Sequence, residues 1–176
     1  KVGGEGGPER LLGTAQKFLK SDGALILAIE NQIGLKYLLS FPEDHLGVAW
    51  SGLEGYRNPS GIKTWSKHQL ASLLKENDFQ NQEWFYPFPD YKLPTFIASN
   101  ELFQSERGKS AVKNILRSPV VDHSANSELV CDPVWALQTM IDADIGSEIS
   151  NSFLILASRN AANLSRFRAD GLGWLA

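Results

Sequence analysis

The chain has one cysteine, Cys131, in 176 residues, so no disulfide can close within it, and this thiol usage fits a reducing compartment. Its apolar runs are short. The longest, Ala24 to Ile29, is far below the roughly 20 residues that a helix needs to cross a bilayer. No signal-peptide pattern is present, which makes the cytoplasm the expected location. Runs of Lys or Arg longer than two residues are absent, and the formal net charge is -3 with a pI near 5.6. Non-specific nucleic-acid binding draws on many phosphate contacts, and this charge pattern argues against it. The sequence has three histidines, and no cluster stands at metal-ligand spacing, so no metal site is expected.

Against these absences stand 43% hydrophobic content and a rich aromatic supply of five Trp, four Tyr and nine Phe. Most of that must be core, and the length suits one core in one domain over residues 1–176. The chain opens on Lys1-Val2 and Gly3-Gly4-Glu5-Gly6-Gly7-Pro8 and closes on Leu172-Gly173-Trp174-Leu175-Ala176; both ends read as fragment boundaries.

Pro8 suits the first turn of a helix, and Leu11, Leu12, Ala15, Phe18 and Leu19 recur at helical spacing up to a turn at Ser21-Asp22-Gly23. Ala24–Ile29 is continuously apolar, as in a strand covered on both faces of a parallel sheet, and it ends in Glu30-Asn31-Gln32. The carboxyl ends of such strands are where open α/β folds bind ligands. Residues 34–63 are weakly patterned, long for a plain connection, and read as an insertion serving as a lid or binding loop. Ser66 with Gln69 forms a capping box for a helix carrying Leu70, Leu73 and Leu74. Gln82–Phe88 and Ser152–Ser158 read as strands, Val134–Ile141 as a helix, Lys92–Ile97 as a short extended or irregular piece, and 99–150 as a helix-containing insertion. The order predicts an α/β fold with part of its sheet missing. Strands this apolar need further strands, a partner chain or unusual packing to cover them.

Several segments resemble the C-terminal half of a class I S-adenosylmethionine-dependent methyltransferase domain. Leu19-Lys20-Ser21-Asp22-Gly23-Ala24 is similar to the family's "LKPGG" turn before its fifth strand, and Lys75-Glu76-Asn77-Asp78-Phe79 to the "AGF" ending of the next helix, with Asn77 and Asp78 departing from the pattern. Gly34-Leu35-Lys36-Tyr37, Pro42-Glu43-Asp44-His45, Gly52-Leu53-Glu54-Gly55-Tyr56 and Tyr86-Pro87-Phe88-Pro89-Asp90-Tyr91-Lys92 resemble a bacterial subgroup from surface-polysaccharide (lipopolysaccharide, O-antigen) biosynthesis. The resemblance implies a partial Rossmann-like sheet made of the last three strands with helical insertions. It also implies methyl transfer from S-adenosylmethionine to a sugar or other polar acceptor. The glycine-rich donor loop, which must follow a strand, is not found, so the cofactor-binding residues stay unknown and the isolated chain is expected to be inactive. Partners would be the remaining half of the domain, a neighbouring domain such as a glycosyltransferase, a glycan, or a second copy in a homodimer. The competing expectation is a non-catalytic module that packs against such a neighbour. A glycosidase-like use of paired carboxylates is a further alternative, but nothing in the sequence places two at the required separation.

Within this resemblance Glu30 and Asn31 would face the cleft and hold a substrate hydroxyl or order the donor. His45, with Asp44, would supply the base that removes the acceptor proton, the one chemical task left once the sulfonium donor is aligned. Glu54 with Tyr56, and Asp90 with Tyr91, pair a carboxylate with an aromatic ring as a sugar site would, and equally as packed loops would. Trp65, Trp84 and Phe85 read as core, His68 as surface, and His123 as part of the irregular insertion.

Overall fold

The computed structural model describes residues 7–57, 62–120 and 128–169. His123, residues 58–61, most of the opening glycine run and the Gly171-Leu172-Gly173 stretch lie outside them.

The chain is an α/β structure built on one four-stranded sheet. Helix α1 (Gly7–Phe18) starts at the turn before Pro8, earlier than the apolar spacing indicated, with Glu9 in its first turn and Lys17 in its last, charges that suit the helix dipole. It leads to β1 (Leu25–Glu30), followed by the four-residue helix α2 (Leu35–Leu38). Helix α3 (Lys67–Glu76) begins at the expected capping box. The Gln69 N–H donates to Ser66 Oγ and the Ser66 N–H donates to Gln69 Oε1. Replacing Ser66 by Ala should therefore cost about 1 kcal/mol, read as a lower urea midpoint with an unchanged m-value. Strands β2 (Asn81–Phe88) and β3 (Phe96–Ser99) follow, then a 3-10 turn (Asn100–Phe103), α4 (Glu106–Ile115), α5 (Pro133–Asp142), β4 (Ser152–Ser158) and α6 (Ala161–Ala169). The segment read as extended or irregular thus contributes a fourth strand, β3, beyond the three anticipated.

The sheet order is β1-β4-β2-β3 and every neighbouring pair is antiparallel. This corrects the expectation that β1 has parallel neighbours and is covered on both faces. β1 is an edge strand whose exposure alternates: Leu25, Leu27 and Ile29 pack on the core, while Ile26 is 57% exposed and Ala28 is exposed too. Six apolar residues in a row carry no period, so the sequence alone could not reveal which face lacks a cover. β4 is the strand that is buried almost throughout, as its Phe153–Ala157 run indicated. Because β1 and β2 are both antiparallel to β4, they run parallel to each other, joined through α3.

The main core lies on one face, where Leu12 of α1, Leu70 and Leu74 of α3, Val112 of α4 and Leu137 and Ile141 of α5 meet Tyr86, Phe88, Phe153 and Ile155. Tyr86 stands edge-on to Phe103 and Phe153. Phe79 is fully buried beneath the start of β2, Trp65 and Phe85 are core as expected, and Trp84 is partly buried against it. On the opposite face a small cluster of Phe85, Leu156 and Leu164 holds α6 against β4 and β2. No described helix is long and apolar enough to cross a membrane.

Candidate functional site

The carboxyl end of β1 is tied to the segment entering β4 by a dense set of backbone and amide hydrogen bonds. The Asn31 N–H donates to the Asn151 carbonyl and the Leu35 N–H to the Ile149 carbonyl. Asn31 is fully buried, with Nδ2 donating to the carbonyls of Glu148 (2.7 Å) and Ser150 (2.8 Å) and Oδ1 accepting from the Ile33 N–H. Its side chain is thereby committed to the backbone. Asn151 reciprocates from the other strand: Oδ1 accepts from the Lys36 N–H (2.9 Å), and Nδ2 donates to the carbonyls of Pro89 (2.8 Å) and Pro119 (2.9 Å). Gly34 sits where a Cβ would come within 2.9 Å of the Asn151 Cα, so only glycine lets the two segments approach this closely.

This stitching fixes a charged cluster at the end of β1. Glu30, 4% exposed, accepts from Lys92 Nζ at 2.7 Å. The same ammonium group reaches Asp44 Oδ2 at 2.6 Å, and Lys36 Nζ lies 3.3 Å from Asp44 Oδ1 and 3.5 Å from Asp90 Oδ2. His45 Nε2 stands 3.9 Å from Glu30 Oε2, and its backbone N–H donates to Glu43 Oε2. Tyr91 packs its ring under Lys92 Nζ, while its N–H donates to Ser152 Oγ. Glu30, Asp44, His45, Asp90 and Tyr91, chosen from three separate stretches of sequence, therefore share one site.

Burial pushes the Glu30 carboxyl above its ordinary pKa, against the pull of Lys92, and the neighbouring Asp44 adds to the rise. Asp44 is also partly desolvated, but Lys92 and Lys36 outweigh that and hold it well below the usual carboxylate range. The two acids are thus driven apart: Asp44 is fixed as an anion while Glu30 is the group readier to take a proton. Lys92 is held above its ordinary value, since its bonds to Asp44 and Glu30 outweigh desolvation. Tyr37, 2% exposed, is pushed up by burial and by the charges of Asp44, Glu30 and Glu43, and its hydroxyl has no hydrogen-bond partner among the described residues.

Two candidates lie apart from this cluster. Glu54 is exposed and pairs with Arg57. Tyr56 is buried, with its hydroxyl 2.6 Å from Thr64 Oγ1 and 3.4 Å from Glu43 Oε1, so it closes the loop on itself. His68 is exposed on α3, and no group of three His, Cys, Asp or Glu side chains able to hold a metal occurs among the described residues. Sequence reasoning gave no role to Lys36 and Lys92. A lysine usually reads as a solvated charge, and the only hint was Lys36 sitting between Leu35 and Tyr37-Leu38. Comparison with protein-family models, curated proteins and solved structures gave no match.

Proposed function

We propose that the chain is the C-terminal part of a class I methyltransferase-like domain that transfers a methyl group from S-adenosylmethionine to a sugar or other polar acceptor in surface-polysaccharide synthesis. The observation that carries this reading is the β1-β4-β2 arrangement. The three segments that resemble the family's fifth, sixth and seventh strands lie side by side. β1 and β2 run parallel and are joined through a helix, as in the βαβ units of doubly wound folds. The polar cluster stands at the carboxyl end of β1, where such folds place ligands.

In this reading Glu30, at the rim of the sheet, hydrogen-bonds an acceptor hydroxyl. Asp44 stays ionised and, with Lys92, orients the neighbouring groups. His45 would take the proton released as the acceptor oxygen bonds to the methyl carbon and the carbon–sulfur bond of the donor breaks, the sulfur leaving with its electron pair as the demethylated product. S-adenosylmethionine would supply the electrophilic methyl group. No glycine-rich loop follows a described strand, so another segment would supply the loop that holds it. Among the described residues no strand pairs with the outer edge of β1, and that edge with the exposed Ile26 and Ala28 is where such a segment would add.

Titration calorimetry of the full-length gene product with S-adenosylmethionine and its demethylated product should give saturable binding, and the 176-residue chain alone should give none. Binding by neither sinks the methyltransferase reading. Micromolar binding by the chain alone sinks the division of the donor site. The same bare apolar strand favours a second reading, a non-catalytic module docked on a neighbouring domain. That reading gains if neither protein binds the donor while Ile26→Lys abolishes association with the neighbour.

A further inference from the structure

A second site lies on the other side of the Asn31 segment, on the main-core face of the sheet. There a cavity of about 420 Å³ opens between the start of α3, the 3-10 turn and the loop before β4, lined by Lys67, Asn100, Phe103, Gln104, Ser147 and Glu148. Its size falls within the range of roughly 300–1,000 Å³ typical of small-ligand pockets.

The polar groups in it are held in place. The buried Tyr86 hydroxyl donates to Asn100 Oδ1 at 2.8 Å, which fixes the Asn100 amide and leaves its N–H groups to donate elsewhere. Lys67 Nζ donates to Glu148 Oε1 at 2.7 Å and to Ser147 Oγ at 3.3 Å, over the face of the Tyr86 ring. Gln104, exposed at the rim, has no side-chain hydrogen bond among the described residues. The charges cancel in pairs: Lys67 with Glu148, and the lining Asp144 with Lys109. An anion would meet the carboxylates of Asp144 and Glu148, and a cation would have to displace Lys67 and Lys109 from them. A neutral molecule whose groups both donate and accept is the one that suits alternating amide, ammonium, hydroxyl and carboxylate partners.

We propose that this cavity binds a neutral, polyhydroxylated ring of monosaccharide size. The inference stands apart from the reading above, whose acceptor hydroxyl lies at the Glu30 cluster; sugar binding here needs no donor and is measured without it.

The test is a 1H-15N NMR titration of the chain with glucose, galactose, mannose and N-acetylglucosamine, with glucuronate and inorganic phosphate as charged controls. At least one neutral sugar should give saturable shifts at Lys67, Asn100, Gln104 and Ser147. Losing one neutral hydrogen bond is worth roughly a three- to tenfold change in affinity, so Gln104→Ala, at the exposed rim, should weaken binding about threefold, and Lys67→Met more. Three results would overturn the inference: no saturable shifts with any neutral sugar, tighter binding of glucuronate or phosphate, or shifts confined to Tyr91 and the Glu30 cluster. Failure here with donor binding intact in the full-length product leaves the methyltransferase reading standing and removes only this sugar site.

Discussion

Replacing Asn151 by Ala should lower stability by about 3 kcal/mol, the largest loss expected of any single substitution near the site. The side chain is 1% exposed and satisfies three buried backbone groups at once: the Lys36 N–H and the carbonyls of Pro89 and Pro119. Each buried polar group left without a partner costs roughly 1–3 kcal/mol, and water entering the vacated volume recovers part of that. Against a typical total of roughly 5–15 kcal/mol this is a large fraction, and for a chain of this length it corresponds to a fall in Tm of roughly 6–12 °C. Asn151→Asp separates hydrogen bonding from shape. The introduced carboxylate would face two carbonyl oxygens, so burial and repulsion raise its pKa in the folded state above the unfolded value of about 3.9. Stability is then lost as pH rises through that window, and the variant should be clearly weaker at neutral pH than near pH 4. Urea denaturation at the two pH values checks both variants. No loss for Asn151→Asp at either pH, against a full loss for Asn151→Ala, would mean that cavity shape, not the polar network, sets the cost.

The same network shows what could be read from the sequence and what could not. The capping box at Ser66, the bounds of β4 and the turn after α1 are local signals, set by residues a few positions apart, and they stand in the structure where they were expected. The meeting of Glu30, Asp44, His45, Asp90 and Tyr91 was legible for a different reason, because polar residues directly after a strand or within a long loop collect at one end of a sheet. Asn151 left no such signal: it stands just before the Ser152–Ser158 strand, and its partners lie about 30 to 115 residues away. Lys36 and Lys92 were hidden for the same reason, since Lys36 meets Asp90, and Lys92 meets Glu30 and Asp44, across long stretches of sequence. The edge position of β1 was hidden because hydrophobicity reports burial and not the direction of a neighbouring strand.

Removing Lys92 tests the charged cluster most directly. Its ammonium group bridges Glu30 and Asp44, and in Lys92→Met the buried Glu30 loses its closest cation, while Asp44 keeps Lys36. Breaking one side of a fully buried pair costs roughly 3–5 kcal/mol; Lys92 is 47% exposed, and discounting for solvent screening brings the expected loss at neutral pH to about 2 kcal/mol. The pH dependence identifies the cause. Burial already holds the Glu30 carboxyl above its ordinary value of 4.5 in the folded protein, and without Lys92 it should move further up. A carboxyl with a raised folded pKa destabilises the fold as pH rises from the unfolded value through the folded one, so the penalty of Lys92→Met should be full at neutral pH and should fade as pH drops toward 4.5. Asp44 contributes with the opposite sign: its depressed pKa stabilises the fold above 3.8, a contribution lost as pH falls below that value, and weakening its lysine contacts makes the acid loss shallower in the variant. Stability curves of the two proteins should therefore converge between neutral pH and about pH 4, and 13C NMR titration should place the Glu30 carboxyl higher in the variant. A gap of constant size across that range would assign the effect to the lost contact of Lys92 Nζ with the Tyr91 ring instead of the Glu30 charge, and the separation of Glu30 from Asp44 that fits them to different tasks would lose its electrostatic basis.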